Sequence, residues 1–475
     1  MKMMPVHAAG ESPTTNVTID FGKTIGKVKP MHAVNNGPSC TLDGSGMGWD
    51  SHARDQTKIR NGNLAEFRAA GIPYARTHDA SFYPTYGLEH TVDVHAIFPD
   101  FDADPYSPDS YDFVCTDHYL DMIEAGGAKV FYRLGSRIEH EIKKYGTVMP
   151  KDFQKWAVIC EHIIRHCTEG WANGSYRDIE YWEIWNEPDL DADDAENKRC
   201  WSGTKAQFFE FYHVAATHLK KCFPHLKIGG PGLSHDIQWT EDFLSQLKAP
   251  LDFFSWHVYP YDTKKTAKRA STVRHLLDKY GFEKSESILS EWNYVHDWAG
   301  DDMAYSLIQQ KKIKGAAFNL ATMFTCQHGS VDMLMYYDAR PCAWNGMFDF
   351  VQIGKVITKA YYSFPMFDAL YRLGRSTYCH SDNESVYVCA ATDSKEAAFI
   401  VTHFDNDDSN KGTQISVDLK GLPCENGTEI EVYLLDGDHD LTLMDSIICY
   451  GDKIVLKRLL PNYTSYLVKI NPCYK

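Results

Sequence analysis

The chain is predicted to be an α/β protein, a (β/α)8 barrel followed by a C-terminal β-sandwich, on three observations. Short apolar strands alternate with helical stretches about eight times between residues 28 and 373, as in a closed parallel sheet. Two of those strands, Tyr181-Trp182-Glu183-Ile184-Trp185-Asn186-Glu187-Pro188 and Ser287-Ile288-Leu289-Ser290-Glu291-Trp292-Asn293, end in a glutamate beside an indole. From residue 374 onward the helical period gives way to short alternating segments bounded by turns such as Asp405-Asn406-Asp407-Asp408, Asp436-Gly437 and Pro461-Asn462, a sandwich pattern. A doubly wound open sheet would alternate similarly, but there is no phosphate-type glycine fingerprint.

In chain order, residues 1–13 read as a disordered lead. Val17–Phe21 alternates like an edge strand; it has no place in a barrel, so residues 14–27 are assigned to the sheet of the second domain. The barrel then spans 28–373 and the sandwich 374–475. Barrel strands are expected at Pro30–Asn36, Tyr74–His78, Lys129–Leu134, Tyr181–Asn186, Leu226–Gly229, Phe253–His257, Ser287–Glu291 and Val331–Tyr337, runs rich in branched and aromatic residues. Helices are expected near Gln56–Ala70, over Asp112–Ala125 (stopped by Gly126-Gly127), over Asp152–Cys167, with Trp156, Ile159, Ile163 and Cys167 on one side, and at Lys205–Phe223, Thr240–Leu247, Thr272–Lys279, Met303–Phe324 and Gly354–Leu370. Six sandwich strands are expected: Ser385–Ala391, Ala397–His403, Gln414–Leu419, Glu429–Leu435, Lys453–Leu459 and Ser465–Ile470. The loop Asp79–Ser110 is longer than a connection requires, which suggests that it shapes a site.

Composition bounds the function classes. At 475 residues the chain exceeds one core, and a formal net charge of −16 disfavours nucleic acid and anionic membranes as partners. The 13 cysteines are odd in number and lack metal-ligand spacing, so a reducing, cytoplasmic setting and no metal or other cofactor are expected. His78 with Asp79, or His95, has no His/His/carboxylate spacing around it, and no G-x-S-x-G elbow points to a serine hydrolase. Met1–Asp20 holds no apolar run of signal-peptide length, and no stretch approaches ~20 apolar residues.

A carboxylate at the carboxyl end of a barrel strand is where such folds keep their chemistry. Two of them suit glycoside cleavage, in which one carboxyl protonates the leaving group and the other attacks the anomeric carbon or activates water. Glu187 fits the acid/base, its pKa raised by a second carboxylate and by the indoles of Trp182 and Trp185. Asn186 can donate to a sugar 2-hydroxyl. Glu291 fits the nucleophile, with Arg76 as the cation that keeps it ionised. His257 and Tyr259, in Phe254-Ser255-Trp256-His257-Val258-Tyr259-Pro260, and His78 end other strands with groups able to meet a sugar or a glutamate; Trp292 and Trp344 are candidates to stack on it. Carboxyls ~5–5.5 Å apart imply retention of configuration, ~6.5–9.5 Å inversion. The competing expectation is a barrel that binds carbohydrate without cleaving it.

With these residues in place, the chain resembles clan A of the glycoside hydrolases and, most closely, glycoside hydrolase family 39. The resemblance rests on the stretches around Glu187, His257 and Glu291 and on Arg76-Thr77-His78. It implies a barrel, a β-sandwich with an early strand lent to it, and a retaining double displacement with Glu187 as acid/base and Glu291 as nucleophile. It further implies that Asn186 holds the 2-hydroxyl, His78 and His257 the non-reducing sugar, and Tyr259 an oxygen of the nucleophile. The expected activity is exo-acting release of a terminal sugar, a pentose such as xylose or arabinose, from oligosaccharides or glycosides; homo-oligomers are expected. The chain departs from the usual xylosidase pattern after His78, at Asp79-Ala80-Ser81-Phe82, and at Trp292.

Overall fold

The computed structural model describes residues 14–38, 63–79, 91–234, 236–340, 346–350, 355–423, 427–450 and 453–473. The expected lead, residues 56–62 of the first expected helix, residues 80–90 of the long loop and Trp344 lie outside them. The described chain divides into two compact units, Lys29–Asp368 and, together, the stretches up to Val28 and from Ala369. The boundary falls inside a helix rather than after it.

Strand β1 (Thr14–Lys27) belongs to the second unit. The first unit is a closed barrel of eight parallel strands among the described residues: β2 (Ala33–Asn35), β3 (Tyr74–Thr77), β4 (Lys129–Leu134), β5 (Tyr181–Ile184), β6 (Lys227–Leu233), β7 (Phe253–His257), β8 (Glu286–Trp292) and β9 (Met333–Tyr336), with β9 closing on β2. Ala33, Phe131, Tyr181, Phe253, Ile288, Met333 and Met335, from six of these strands, fill the interior as one apolar cluster; the barrel is packed there and polar above.

The helices are α1 (Leu64–Ala69), α2 (Val94–Ile97), α3 (Val114–Ala125), α4 (Phe153–Glu169), α5 (Lys205–Cys222), α6 (Ile237–Gln246), α7 (Thr263–Lys279), α8 (Gly300–Gln309), α9 (Ile313–His328) and α10 (Ser363–Leu373). Helices α4 to α7 start at side-chain caps. The Asp152 side chain accepts from the Lys155 amide, and Thr204 with Gln207 forms a capping box. Helix α7 begins earlier than expected, because its Thr-Lys-Lys-Thr-Ala-Lys-Arg opening shows little apolar period but is capped by Asp262.

Two further helix expectations are corrected. The stretch Met303–Phe324 is not one helix but parts of α8 and α9, separated where the buried Gln310 donates from Nε2 to the Tyr294 carbonyl at 2.8 Å. Within Gly354–Leu370, Lys355–Ile357 (β11) pairs instead with Phe348–Phe350 (β10) as a hairpin, and the helix starts only at Ser363.

The second unit is one nine-stranded mixed sheet among the described residues. Besides β1 it holds β12 (Arg375–Ser381), β13 (Val386–Thr392), β14 (Ala397–His403), β15 (Thr413–Lys420), β16 (Thr428–Leu435), β17 (Asp440–Cys449), β18 (Ile454–Leu460) and β19 (Ser465–Pro472). Strand β1 runs antiparallel to β12 and parallel to β15. Side chains from both ends of the strand order, such as Val17, Ile415, Phe399 and Val432, share one core, so the sheet folds over itself in sandwich fashion. Strands β12 and β17 were not expected. The first is polar, and the second, Asp-Leu-Thr-Leu-Met-Asp-Ser-Ile-Ile-Cys, is an edge strand whose Leu443, Met444 and Ile448 are exposed, so no in-out alternation marks it.

Candidate active site

The polar layer above the barrel's apolar cluster is organised by Arg76, at the third position of β3. Its Nε donates to Glu183 Oε2 at 2.6 Å, Nη1 to Glu291 Oε1 at 2.7 Å and Asn35 Oδ1 at 2.9 Å, and Nη2 to Asn186 Oδ1 at 2.7 Å. Four barrel strands or strand ends thus converge on one fully buried guanidinium. Its pKa is raised; burial opposes the charge, and Glu183 and Glu291 outweigh it. An ion pair this deep is a positioning device more than a source of stability, since its desolvation cost is large.

Glu291 reaches this layer through a bulge. Ile288 faces the interior, so simple alternation along β8 would turn Ser290 inward and Glu291 outward. The pairing register shifts against both neighbours, between Trp256 and His257 on one side and between Leu289 and Trp292 on the other. The extra residue turns Glu291 inward, as bulges commonly do beside functional sites, while the Ser290 carbonyl accepts from Asn35 Nδ2 at 2.7 Å. Glu291 Oε1 lies 3.1 Å from His78 Nε2, and Oε2 accepts from the Tyr259 hydroxyl at 2.7 Å. Burial alone would raise this carboxyl's pKa, but electrostatic interaction with His257, His78 and Arg76 holds it well below the usual range.

Glu187 lies just beyond β5. The turn that presents it places Trp185 at φ 76° and Glu187 at φ 46°, left-handed values costly for side-chain-bearing residues. Two hydrogen bonds, from the Trp185 amide to the Leu134 carbonyl (2.7 Å) and from the Glu187 amide to the Gly232 carbonyl (2.9 Å), hold it there. Oε1 of Glu187 is 2.8 Å from Nδ1 of His257, which is also 3.6 Å from Glu291 Oε2. Glu187 is pushed well above the usual carboxylate range, by burial first and then by the charges of Glu291 and Asp189. The two indoles expected as its walls have other partners as well. Trp182 stacks on Tyr132, and Trp185 packs among Trp156, Trp201 and Phe211 with its Nε1 on the Cys200 carbonyl. Burial lowers His257 to about 4.

Glu187, His257 and Glu291 each offer an atom within 4.8 Å of the others. The three could ligate a cation, yet both Glu291 oxygens already accept hydrogen bonds, from Arg76 and Tyr259. The arrangement suits proton transfer better than metal binding.

A cavity of about 930 Å³ opens over these groups, lined by residues that include His78, Asn186, Glu187, Tyr259 and Glu291, a size typical of small-molecule sites. Three expectations are corrected. Arg76 is fully buried and absent from the cavity wall, with four of its five N–H donors on protein acceptors. His257 touches the Glu187 carboxyl and is absent from the cavity wall. Trp292 points away, fully buried against Phe318 and Tyr336. Trp344 lies outside the described residues.

The same cavity holds a charged cluster around Asp79 that includes residues the sequence reading passed over, Arg137, Tyr337 and Arg340. Asp79 bonds Arg137, Arg340 and the Tyr337 hydroxyl (3.2, 3.0 and 2.9 Å). Burial works against its charge, but Arg340, His78 and Arg137 hold it far below the usual range. The indole of Trp298 is 57% exposed at the cavity and meets Tyr259 edge-on. Arg137, Tyr337 and Arg340 all follow the carboxyl ends of β4 and β9, so applying the strand-end rule to every strand would have found them.

Comparison with known proteins decides the family. The description Glycosyl hydrolases family 39 matches residues 81–440. The chain belongs to glycosyl hydrolase family 39. Among relatives, a β-xylosidase of Caldicellulosiruptor saccharolyticus is 30% identical over 163 residues, 32% of each chain. A β-xylosidase of Geobacillus stearothermophilus is 28% identical over 180 residues, 36% of this chain and 31% of that one. The family 39 chain thus spans less than half the length of either. Among solved structures, a glucosidase from Croceicoccus marinus superposes with TM-score 0.77 at 21% identity, covering 97% of this chain and 100% of that one; at that identity the likeness establishes the fold.

Proposed function

We propose that this family 39 protein is a retaining, exo-acting glycoside hydrolase that releases a terminal pentose, xylose or an arabinose-like sugar, from oligosaccharides. The observation that carries the reading is the split between two adjacent carboxyls. Oxygens of Glu187 and Glu291 lie within 4.8 Å of each other, while their surroundings drive one pKa up and the other down. Environments that push paired carboxyls apart assign the acid and the base, and this spacing favours the short, retaining geometry over the ~6.5–9.5 Å that admits a water.

In the first step Glu291 attacks the anomeric carbon as Glu187 protonates the departing oxygen, giving a glycosyl ester on Glu291 and a free aglycone alcohol. In the second, Glu187 takes a proton from water, whose oxygen attacks the same carbon and releases Glu291 as carboxylate. Arg76 binds the Asn186 carbonyl oxygen, which leaves the Asn186 amide NH2 as the end for a sugar 2-hydroxyl. His78 borders both Glu291 and the cavity, a position for a neighbouring hydroxyl. Release of pentose is supported by the β-xylosidase relatives, and exo action by Leu190 and Arg199, which wall the cavity from the segment after Glu187. The described cysteines are free, which supports a cytoplasmic setting.

A panel of nitrophenyl glycosides tests this reading. Turnover is expected on a pentoside, with a bell-shaped pH profile. Its acid limb falls as Glu291 gains a proton below the usual carboxylate range, and its alkaline limb falls as Glu187 loses one above it. Cleavage of long polymers with no turnover of any small glycoside would defeat the exo assignment, and inertness toward both would favour a binding protein.

A further inference from the structure

Away from the barrel mouth, on helices α4 and α5, the structure brings together a second set of chemistry-bearing side chains. Glu161, His218 and Cys222 each present one ligand atom, and all three atoms lie within 4.8 Å of one another. We propose that these residues form a binding site for a borderline-soft divalent cation of the zinc type, joining α4 to α5.

The geometry is close to what such an ion requires. Tetrahedral bonds of ~2.0–2.3 Å place ligand atoms ~3.3–3.8 Å apart. His218 Nε2 is 3.7 Å from Cys222 Sγ, inside that range. It is 2.7 Å from Glu161 Oε2, so the carboxylate must withdraw by about half an ångström, a small adjustment for a terminal group. His218 and Cys222 stand four residues apart on one helix face, and Glu161 meets them from the neighbouring helix. All three are partly exposed, which leaves an entry route and a fourth position for water.

The surroundings are those that orient metal ligands. The other ring nitrogen of His218, Nδ1, is 2.9 Å from the side-chain amide of Gln154. That amide can present its oxygen as readily as its nitrogen, fixing the tautomer that leaves the Nε2 lone pair toward the ion. The second oxygen of Glu161 accepts from Arg165 Nε at 2.9 Å, which keeps the carboxylate monodentate. An imidazole, a carboxylate and a thiolate carry two negative charges together and neutralise a divalent ion, the thiol proton leaving to solvent. A mixed Cys/His/carboxylate set selects zinc-like ions over magnesium or calcium. The spacing rules applied to the sequence missed it because the third ligand sits on a separate helix.

Cobalt(II), a coloured stand-in for zinc, tests the proposal on the full chain. Titration is expected to produce a thiolate-to-cobalt charge-transfer band that saturates at one equivalent and is abolished by added zinc. Cys222→Ser should abolish the band, Glu161→Gln should weaken binding, and Gln154→Ala should lower the affinity roughly tenfold. The variants' circular dichroism should match wild type, since none of these residues lies in a core. No band in the wild-type protein, or a band that survives in Cys222→Ser, would overturn the site.

Discussion

Replacing Glu291 with alanine is expected to lower kcat on the order of 10⁵-fold while leaving substrate binding within several-fold of wild type. In the proposed mechanism this side chain forms the bond to the anomeric carbon. Glu183, the nearest other carboxylate in contact with Arg76, is fully buried and absent from the cavity wall. Small anions supply the check. Azide can enter the space left by the carboxylate and attack once, so the variant should regain turnover and yield a glycosyl azide of inverted configuration. Kinetics with and without azide, and the product's configuration by proton NMR, read out the role. A variant that keeps a tenth of wild-type activity would remove Glu291 from the reaction.

Glu187→Ala should separate substrates by leaving group. Disaccharides, whose alkoxide leaving group needs a proton, should lose roughly 10⁴-fold, the upper range of general acid catalysis. Nitrophenyl glycosides leave without a proton, so formation of the glycosyl-enzyme should be far less affected and its hydrolysis should become limiting. Azide then intercepts that intermediate, and the product keeps the substrate's configuration, opposite to the Glu291 case. The alkaline limb of the pH profile should vanish as well. Wild-type activity is expected to fall with rising pH as the raised Glu187 pKa is crossed, and an alanine has no proton to lose. Equal losses on both substrate types would argue that Glu187 positions the sugar instead of transferring a proton.

The fold class was legible because strand and helix periods alternate so regularly up to residue 373. What escaped were elements whose local sequence carries no period. Strand β17 puts Leu443, Met444 and Ile448 into solvent, and the break between α8 and α9 comes in Gln-Lys-Lys without glycine or proline. At the candidate site, the strand-end rule placed Glu187 and Glu291 near one another, but it could not see the bulge in β8. Strict alternation from Ile288 would have faced Glu291 outward. Nor could spacing tell Arg76 beneath the cavity from a residue within it. The guanidinium is reached only through Glu183, Glu291, Asn35 and Asn186 meeting in three dimensions. Asp79 shows the same limit, since its partners Arg137, Tyr337 and Arg340 come from strands far apart in the chain.

The proposed mechanism requires the two carboxyls to be too close for a water to stand between them. The stereochemistry of the first product tests it most directly, whichever glycoside the enzyme accepts. Proton NMR during the first turnovers should show the released sugar with the substrate's own anomeric configuration, before mutarotation mixes the two forms. First appearance of the opposite anomer would contradict the account.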